Sequence, residues 1–225
     1  MTIKAKKSLG QNFLHHCGSL NKIVKAANIQ PTDHIIEIGP GHGVLTEELL
    51  KRAKHVTAVE LDDRLIPELN EKFGSLKNFT LIQGDALEFT PPKTPYKLVA
   101  NIPYYITSPI LNHFLREQPS NQRPTQLTLL IQKEVAQKIC AQVGDLNVLA
   151  IQAQLFGTPK NIAKVPPSHF KPMPKVDSTI LNITIYGKPI IEQTDIGNFF
   201  KMIHAGFGHR RKKLLKNLGP LGIKL

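Results

Sequence analysis

Only two cysteines, Cys17 and Cys140, occur in 225 residues, too few for a disulfide framework. Neither has a second cysteine at zinc-ligand spacing, so each reads as a free thiol. No apolar run approaches the ~20 residues that span a bilayer. The start, Met1-Thr2-Ile3-Lys4-Ala5-Lys6-Lys7, is basic, and no apolar signal segment follows it. These absences exclude a secreted disulfide scaffold and a membrane span, and they point to the cytoplasm. No Ser/His/Asp or Cys/His arrangement stands out. His15 and His16 are adjacent and cannot easily share one metal ion, so they read as surface residues, and no metal is expected.

Acidic residues are missing from both ends. Residues 1–32 hold five Lys and residues 197–225 hold seven Lys or Arg, with no Asp or Glu in either stretch. The remaining 17 basic residues face all 17 acidic ones, so the whole net charge of +12 sits at the termini. A neutral body with basic ends suits a catalytic domain that grips a polyanion. The run Arg210, Arg211, Lys212 and Lys213 is the candidate phosphate contact, the alternative being a solvated helix face.

Between the ends, strand and helix signals alternate. Short β-rich runs occupy 34–38, 55–59, 79–82, 97–100 and 127–131, and helical spacing occupies 44–51, 65–73, 108–116 and 133 to about 142. Such alternation predicts a parallel sheet covered by helices. Residues 178–185 alternate again, as a last, antiparallel strand would. Beyond Pro189, the residues Phe199, Phe200, Ile203 and Phe207 fall at helical spacing and start a small helical appendage. The division expected is 1–187 for the α/β domain and 188–225 for an incomplete helical domain.

Glu37-Ile38-Gly39-Pro40-Gly41-His42-Gly43 lies between a strand and a helix, where glycines let the backbone turn sharply and approach a ligand. Glu60 closes the next strand and Asp85 follows the third, so all three places fall on the carboxyl edge of a doubly wound sheet. Glu60 stands about twenty residues past the glycines, the spacing of an acid that bonds a ribose. The ligand is then a dinucleotide or S-adenosylmethionine. G-x-G-x-G in place of G-x-G-x-x-G favours the methyl donor, as does Asp85, an acid placed to bond an adenine amino group. Glu37 faces the methionine end or is a strand-end residue held locally.

Asn101-Ile102-Pro103-Tyr104 follows the fourth strand on the same edge. An adenine amino group is a poor nucleophile because its lone pair is delocalised into the ring. Two acceptors aimed at its hydrogens, the Asn101 side-chain oxygen and a following carbonyl, would favour a tetrahedral nitrogen. Pro103 stiffens the loop, and Tyr104 offers a face on which a base can stack. Catalysis would then be mainly positioning. Phe170, on the proline-stiffened segment 166–174, takes the other face of the base or plugs the core. Tyr105 reads as loop filler.

Seven motifs occur in order: Ser8 to Leu14, Glu37 to Thr46, Glu60 to Asp62, Gly84 to Leu87, Asn101 to Tyr104, Gln132 to Ala136 and Pro172 to Ser178. With them the chain resembles the ribosomal RNA adenine dimethyltransferase family over nearly its whole length. The resemblance implies a Rossmann-like S-adenosylmethionine-dependent methyltransferase domain with a small helical C-terminal domain that helps hold RNA. It implies that Asn12 and Leu14 close over the donor, and that Gly39, Gly41, Glu60, Asp85 and Asn101 contact it. The expected partner is small-subunit ribosomal RNA, met by a monomer. The alternatives are a large-subunit rRNA methylase conferring antibiotic resistance and a non-catalytic rRNA-binding assembly factor. Tyr105 departs from the Asn usual after the loop tyrosine, and residues 145–149 look shortened.

Overall fold

A computed structural model describes residues 3–209 and 212–222. The chain enters through a single 3-10 turn, Lys7–Leu9, and a two-residue strand β1 (Phe13–Leu14) before helix α1 (Cys17–Ala27). Alternation then follows: β2 (His34–Ile38), α2 (Val44–Leu50), β3 (His55–Glu60), α3 (Ile66–Phe73), β4 (Phe79–Gln83) and β5 (Lys97–Asn101). Next come α4 (Thr107–Leu111), β6 (Gln126–Gln132), α5 (Lys133–Ile139) and α6 (Val148–Gln154). The strands β7 (Gly157–Val165), β8 (Phe170–Lys171) and β9 (Ser178–Ile185) precede α7 (Ile196–Gly208) and α8 (Leu214–Leu218).

Seven strands form one sheet in the order β4-β3-β2-β5-β6-β9-β7. The first five are parallel, and β9 runs antiparallel to both neighbours. The chain builds outward from β2 through β3 to β4, then returns to lay β5 and β6 on the other side of β2. That reversal opens a crevice beyond the carboxyl ends of β2 and β5, where open α/β sheets bind ligands.

Burial on both faces explains the near-continuous apolar strands. Ile36, Leu98, Leu129 and Leu181 pack into one core, and their neighbours Ile35, Val99, Leu130 and Ile180 into another on the opposite face. The α/β class, the five parallel strands and the antiparallel β9 match the reading of the sequence. Beyond the short paired strands β1 and β8, three elements were not anticipated. Helix α1 buries Leu20, Ile23, Val24 and Ala27 along one stripe. Helix α6 is short. Strand β7 carries Pro159 and a register shift between Asn161 and Ala163, both tolerated because it is an edge strand. The helix expected over 108–116 is α4 running into a π-helical turn, Asn112–Glu117, and the one expected to reach about 142 stops at Ile139. In α7, Ile196 and Phe200 pack into the main core.

Candidate active site

The crevice is a cleft of about 1010 Å³. Gly39, Gly41, Glu60 and Asp85 line it from the carboxyl ends of β2, β3 and β4. Asn101, Pro103 and Tyr104 line it from the end of β5, and Asn12, Leu14 and Phe170 from the β1–β8 side. Every residue nominated for donor or base from the sequence therefore meets in one place. Lys212 and Lys213 are exposed and do not line the cleft, and Arg210 and Arg211 lie outside the described residues.

The glycine turn needs its glycines: Gly39 and Gly41 have φ of 66° and 60°, a region costly for residues with a Cβ. A Cβ on Gly41 would come 3.0 Å from the Phe13 ring. Behind the turn the Glu60 carboxylate is fixed by two backbone donors, Gly41 N–H at 3.1 Å and Asp62 N–H at 2.8 Å. Burial pushes its pKa up, and these donors oppose the shift. Asp85 Oδ1 accepts from Leu87 N–H at 2.8 Å, which fixes the carboxylate at the end of β4.

Glu37 closes the inner wall and is 1% exposed. Burial, reinforced by the nearby Glu60 charge, pushes its carboxyl up to about 8, with the Thr46 hydroxyl opposing. That hydroxyl is near, yet neither Glu37 Oε2 nor Thr46 Oγ1 has a hydrogen bond of regular geometry. A buried acceptor without a donor is an unmet demand.

Residues 4–14 lie across this wall as a strap. Gln11 Nε2 donates to Asp62 Oδ2 at 2.7 Å, and Arg64 grips the same carboxylate at 2.6 Å. The Arg64 guanidinium first, then Gln11, hold Asp62 down at about 2. The Phe13 ring packs on His42, centroids 4.4 Å apart. Asn101 Nδ2 donates to Asn12 O at 3.2 Å, leaving the acceptor Oδ1 without a protein partner among the described residues.

Tyr104 is half-buried, and its hydroxyl lies 2.7 Å from Ser178 Oγ. Tyr105 is 61% exposed and packs its ring edge against Gly10 of the strap. Phe170 is only 4% exposed and belongs to the second core cluster while bordering the cleft. Gln11, Asp62 and Ser178 were missed as site residues. They act through partners 51 to 74 positions away, which no local pattern announces.

S-adenosylmethionine, the cofactor expected from the sequence, presents hydrogen-bond donors along its length: an ammonium group, two ribose hydroxyls and an adenine amine. The cleft wall offers acceptors in matching number, namely the orphaned Glu37 Oε2, the Glu60 carboxylate and Asp85. The residues present fit the group.

The model of the family described as ribosomal RNA adenine dimethylase matches residues 2–224. Ribosomal RNA small subunit methyltransferase A of Dehalococcoides mccartyi is 49% identical over 99% of this chain and 77% of its own length. The protein of that name from Shouchella clausii is 42% identical, over 95% of this chain and 75% of its own. Among solved structures, a dimethyladenosine transferase from Plasmodium falciparum has a TM-score of 0.81 at 32% identity, covering 92% of this chain and 74% of the other. The 23S rRNA methyltransferase ErmE has a TM-score of 0.78 at 31% identity, covering 93% and 84%. On its motifs, its fold and a match spanning nearly every residue, the chain belongs to the ribosomal RNA adenine dimethylase family.

Proposed function

We propose that this chain transfers methyl groups from S-adenosylmethionine to the 6-amino group of adenines in small-subunit ribosomal RNA. The observation that carries the reading is Asn101, whose amide is anchored on Asn12 so that Oδ1 is presented as an acceptor at the end of β5. Relatives at 42–49% identity named as small-subunit methyltransferases support the choice of RNA.

When bound, the donor supplies a methyl group on a positively charged sulfur. Gly39 and Gly41 would let the backbone approach it, Glu60 would take the ribose hydroxyls, Asp85 the adenine amine and Glu37 the ammonium. Asn12 and Leu14 cover it from the strap. Asn101 Oδ1 and a loop carbonyl accept the two hydrogens of the target amine, so its lone pair is freed. Pro103 keeps the loop rigid, and Tyr104 stacks on the base. Phe170 packs behind Leu14, its strand partner, and backs the other side of the base site. The nitrogen sheds its proton after alkylation, so no strong base is required and positioning supplies the rate.

Residues 1–187 form the catalytic domain in this reading, and 188–225 belong to a helical domain that holds RNA through Arg210 to Lys213. No helix among the described residues is long and apolar enough to cross a membrane, and the cytoplasm is the compartment that suits the substrate. The test is incubation with labelled donor and undermethylated ribosomal subunits, followed by mass spectrometry of the RNA. Dimethyladenine in small-subunit RNA is expected. Label confined to large-subunit RNA would assign the activity in the name of ErmE instead.

A further inference from the structure

His16 and His169 come from distant parts of the chain and stack face to face. Their ring centroids are 3.6 Å apart and their planes 10° from parallel. They sit where the β1–β8 ribbon ends. Leu14 pairs with Phe170, and His15 N–H then donates to His169 O at 3.0 Å. Ser19, buried on the first turns of α1, lies behind both rings. Its Oγ is 2.8 Å from His169 Nδ1 and 3.4 Å from His16 Nδ1, and its N–H donates to His16 Nδ1 at 3.2 Å. An Nδ1 that accepts an N–H carries no proton, so the proton of His16 is on Nε2. With both Nδ1 atoms turned to Ser19, both Nε2 edges face away from it.

The surroundings are of one sign. The titratable and charged groups acting on His169 are His16 and His15 on the strap side and Lys22 on α1, with Lys171 two residues along its own strand. Partial burial first, then these neighbours in that order, lower the pKa of His169. The cluster can take one proton without losing a bond. His169 Nδ1–H donates to Ser19 Oγ, and the serine hydroxyl hydrogen turns to His16 Nδ1. A second proton would place like charges one stacking distance apart and break the Ser19 N–H bond. Among the described residues no carboxylate acts on His169. His15 and Lys171, which flank it, also line the reactive cleft.

We propose that His16 and His169 form a binding site for a backbone phosphate of the RNA strand at the rim of the cleft, and that the pair takes up one proton as the RNA binds. The two Nε2–H groups donate to phosphate oxygens, and Lys22 and Lys171 supply further positive charge. This rests on RNA being the substrate. It adds a phosphate contact beside the reacting base, one that fixes register without reading sequence.

The test is fluorescence anisotropy of a labelled single-stranded small-subunit rRNA fragment at pH 6 to 8, for wild type and His169→Phe, which keeps a stacked ring without nitrogens. Wild-type affinity should rise about five-fold more than that of His169→Phe as pH falls. Donor affinity and turnover at saturating RNA should be the same in both. Calorimetry in buffers of different ionisation enthalpy should show wild type taking up close to one proton more than His169→Phe does. Equal pH slopes and equal uptake overturn the proposal. Histidine NMR of the wild type needs no substitution: the His169 titration midpoint should move up when RNA is added, and an unmoved midpoint also overturns it. These readouts follow binding alone. Methylation of small subunits, measured beside them, reports the proposed function separately.

Discussion

Asn101 donates its side-chain amide to the carbonyl oxygen of Asn12 across 3.2 Å and 89 positions of sequence. Because a carbonyl only accepts, the contact dictates which end of the amide is which. Oδ1 is thereby committed to the acceptor role that an adenine amine requires, before any substrate arrives.

Replacing Asn101 should therefore cost rate more than binding. Asn101→Ala is expected to lower kcat by about 10²-fold, the range for removal of one preorganised polar contact, with donor affinity changed less. Asn101→Asp should be as slow, since a carboxylate faces the Asn12 carbonyl with no hydrogen to give. Single-turnover kinetics beside calorimetry of the donor would check this. An Asp variant at wild-type rate would remove the anchoring role.

Glu60→Ala should weaken donor binding by about 1.5–3 kcal/mol, the value of a hydrogen bond to a charged group. Two backbone donors that now converge on the carboxylate lose their acceptor as well, so the glycine turn should loosen. Calorimetry with unchanged affinity would take the ribose away from Glu60.

Glu37 should set a pH dependence of stability. Its carboxyl holds a proton up to about 8, against an ordinary 4.5. Between those values the unfolded chain binds fewer protons, so stability falls as pH rises through the window. Glu37→Gln should melt with wild type at pH 5 and above it at pH 8, by an amount on the order of a few kcal/mol. Donor binding should nevertheless weaken, since the ammonium loses a carboxylate. Parallel melting curves across the window would refute the buried, unpaired assignment.

Tyr104 separates ring from hydroxyl. Tyr104→Ala should impair turnover of RNA, while Tyr104→Phe should keep the stacking face and most of the activity. The Phe change leaves the buried Ser178 Oγ without its partner, so it should cost roughly 1–3 kcal/mol of stability instead. Equal inactivity of both variants, with folding intact, would end the stacking assignment.

The basic C-terminal run should govern salt dependence. Neutralising Arg210, Arg211, Lys212 and Lys213 should flatten the log–log dependence of RNA affinity on salt. Turnover of a short substrate at saturation should survive, because Lys212 and Lys213 do not line the cleft. Parallel lines for wild type and the four-fold substitution would return the run to the status of a solvated surface.

The central strands were legible because burial on both faces writes them as apolar runs such as His34 to Ile38, and the cleft was legible because its glycines and acids end those strands. Strand β7 was not: an edge strand needs no apolar face, and Pro159 reads as a break. Helix α1 did carry a signal, Leu20, Ile23, Val24 and Ala27 at helical spacing, that went unread. The strap was reachable only through family resemblance. Its value lies in contacts such as Gln11 with Asp62 and Asn12 with Asn101, which exist only after the chain has folded back on itself.

Two methyl groups on one nitrogen require two donor molecules in succession. The strap that covers the donor wall also holds Asn101, through the carbonyl of Asn12. If exchange of a spent donor for a fresh one displaces the strap, the anchor of the Asn101 amide on Asn12 opens with it. The clamp on a half-finished base and the cover over the donor would then open together. Continuity between the first and second transfer would then rest on the charged ends proposed to hold the phosphate backbone.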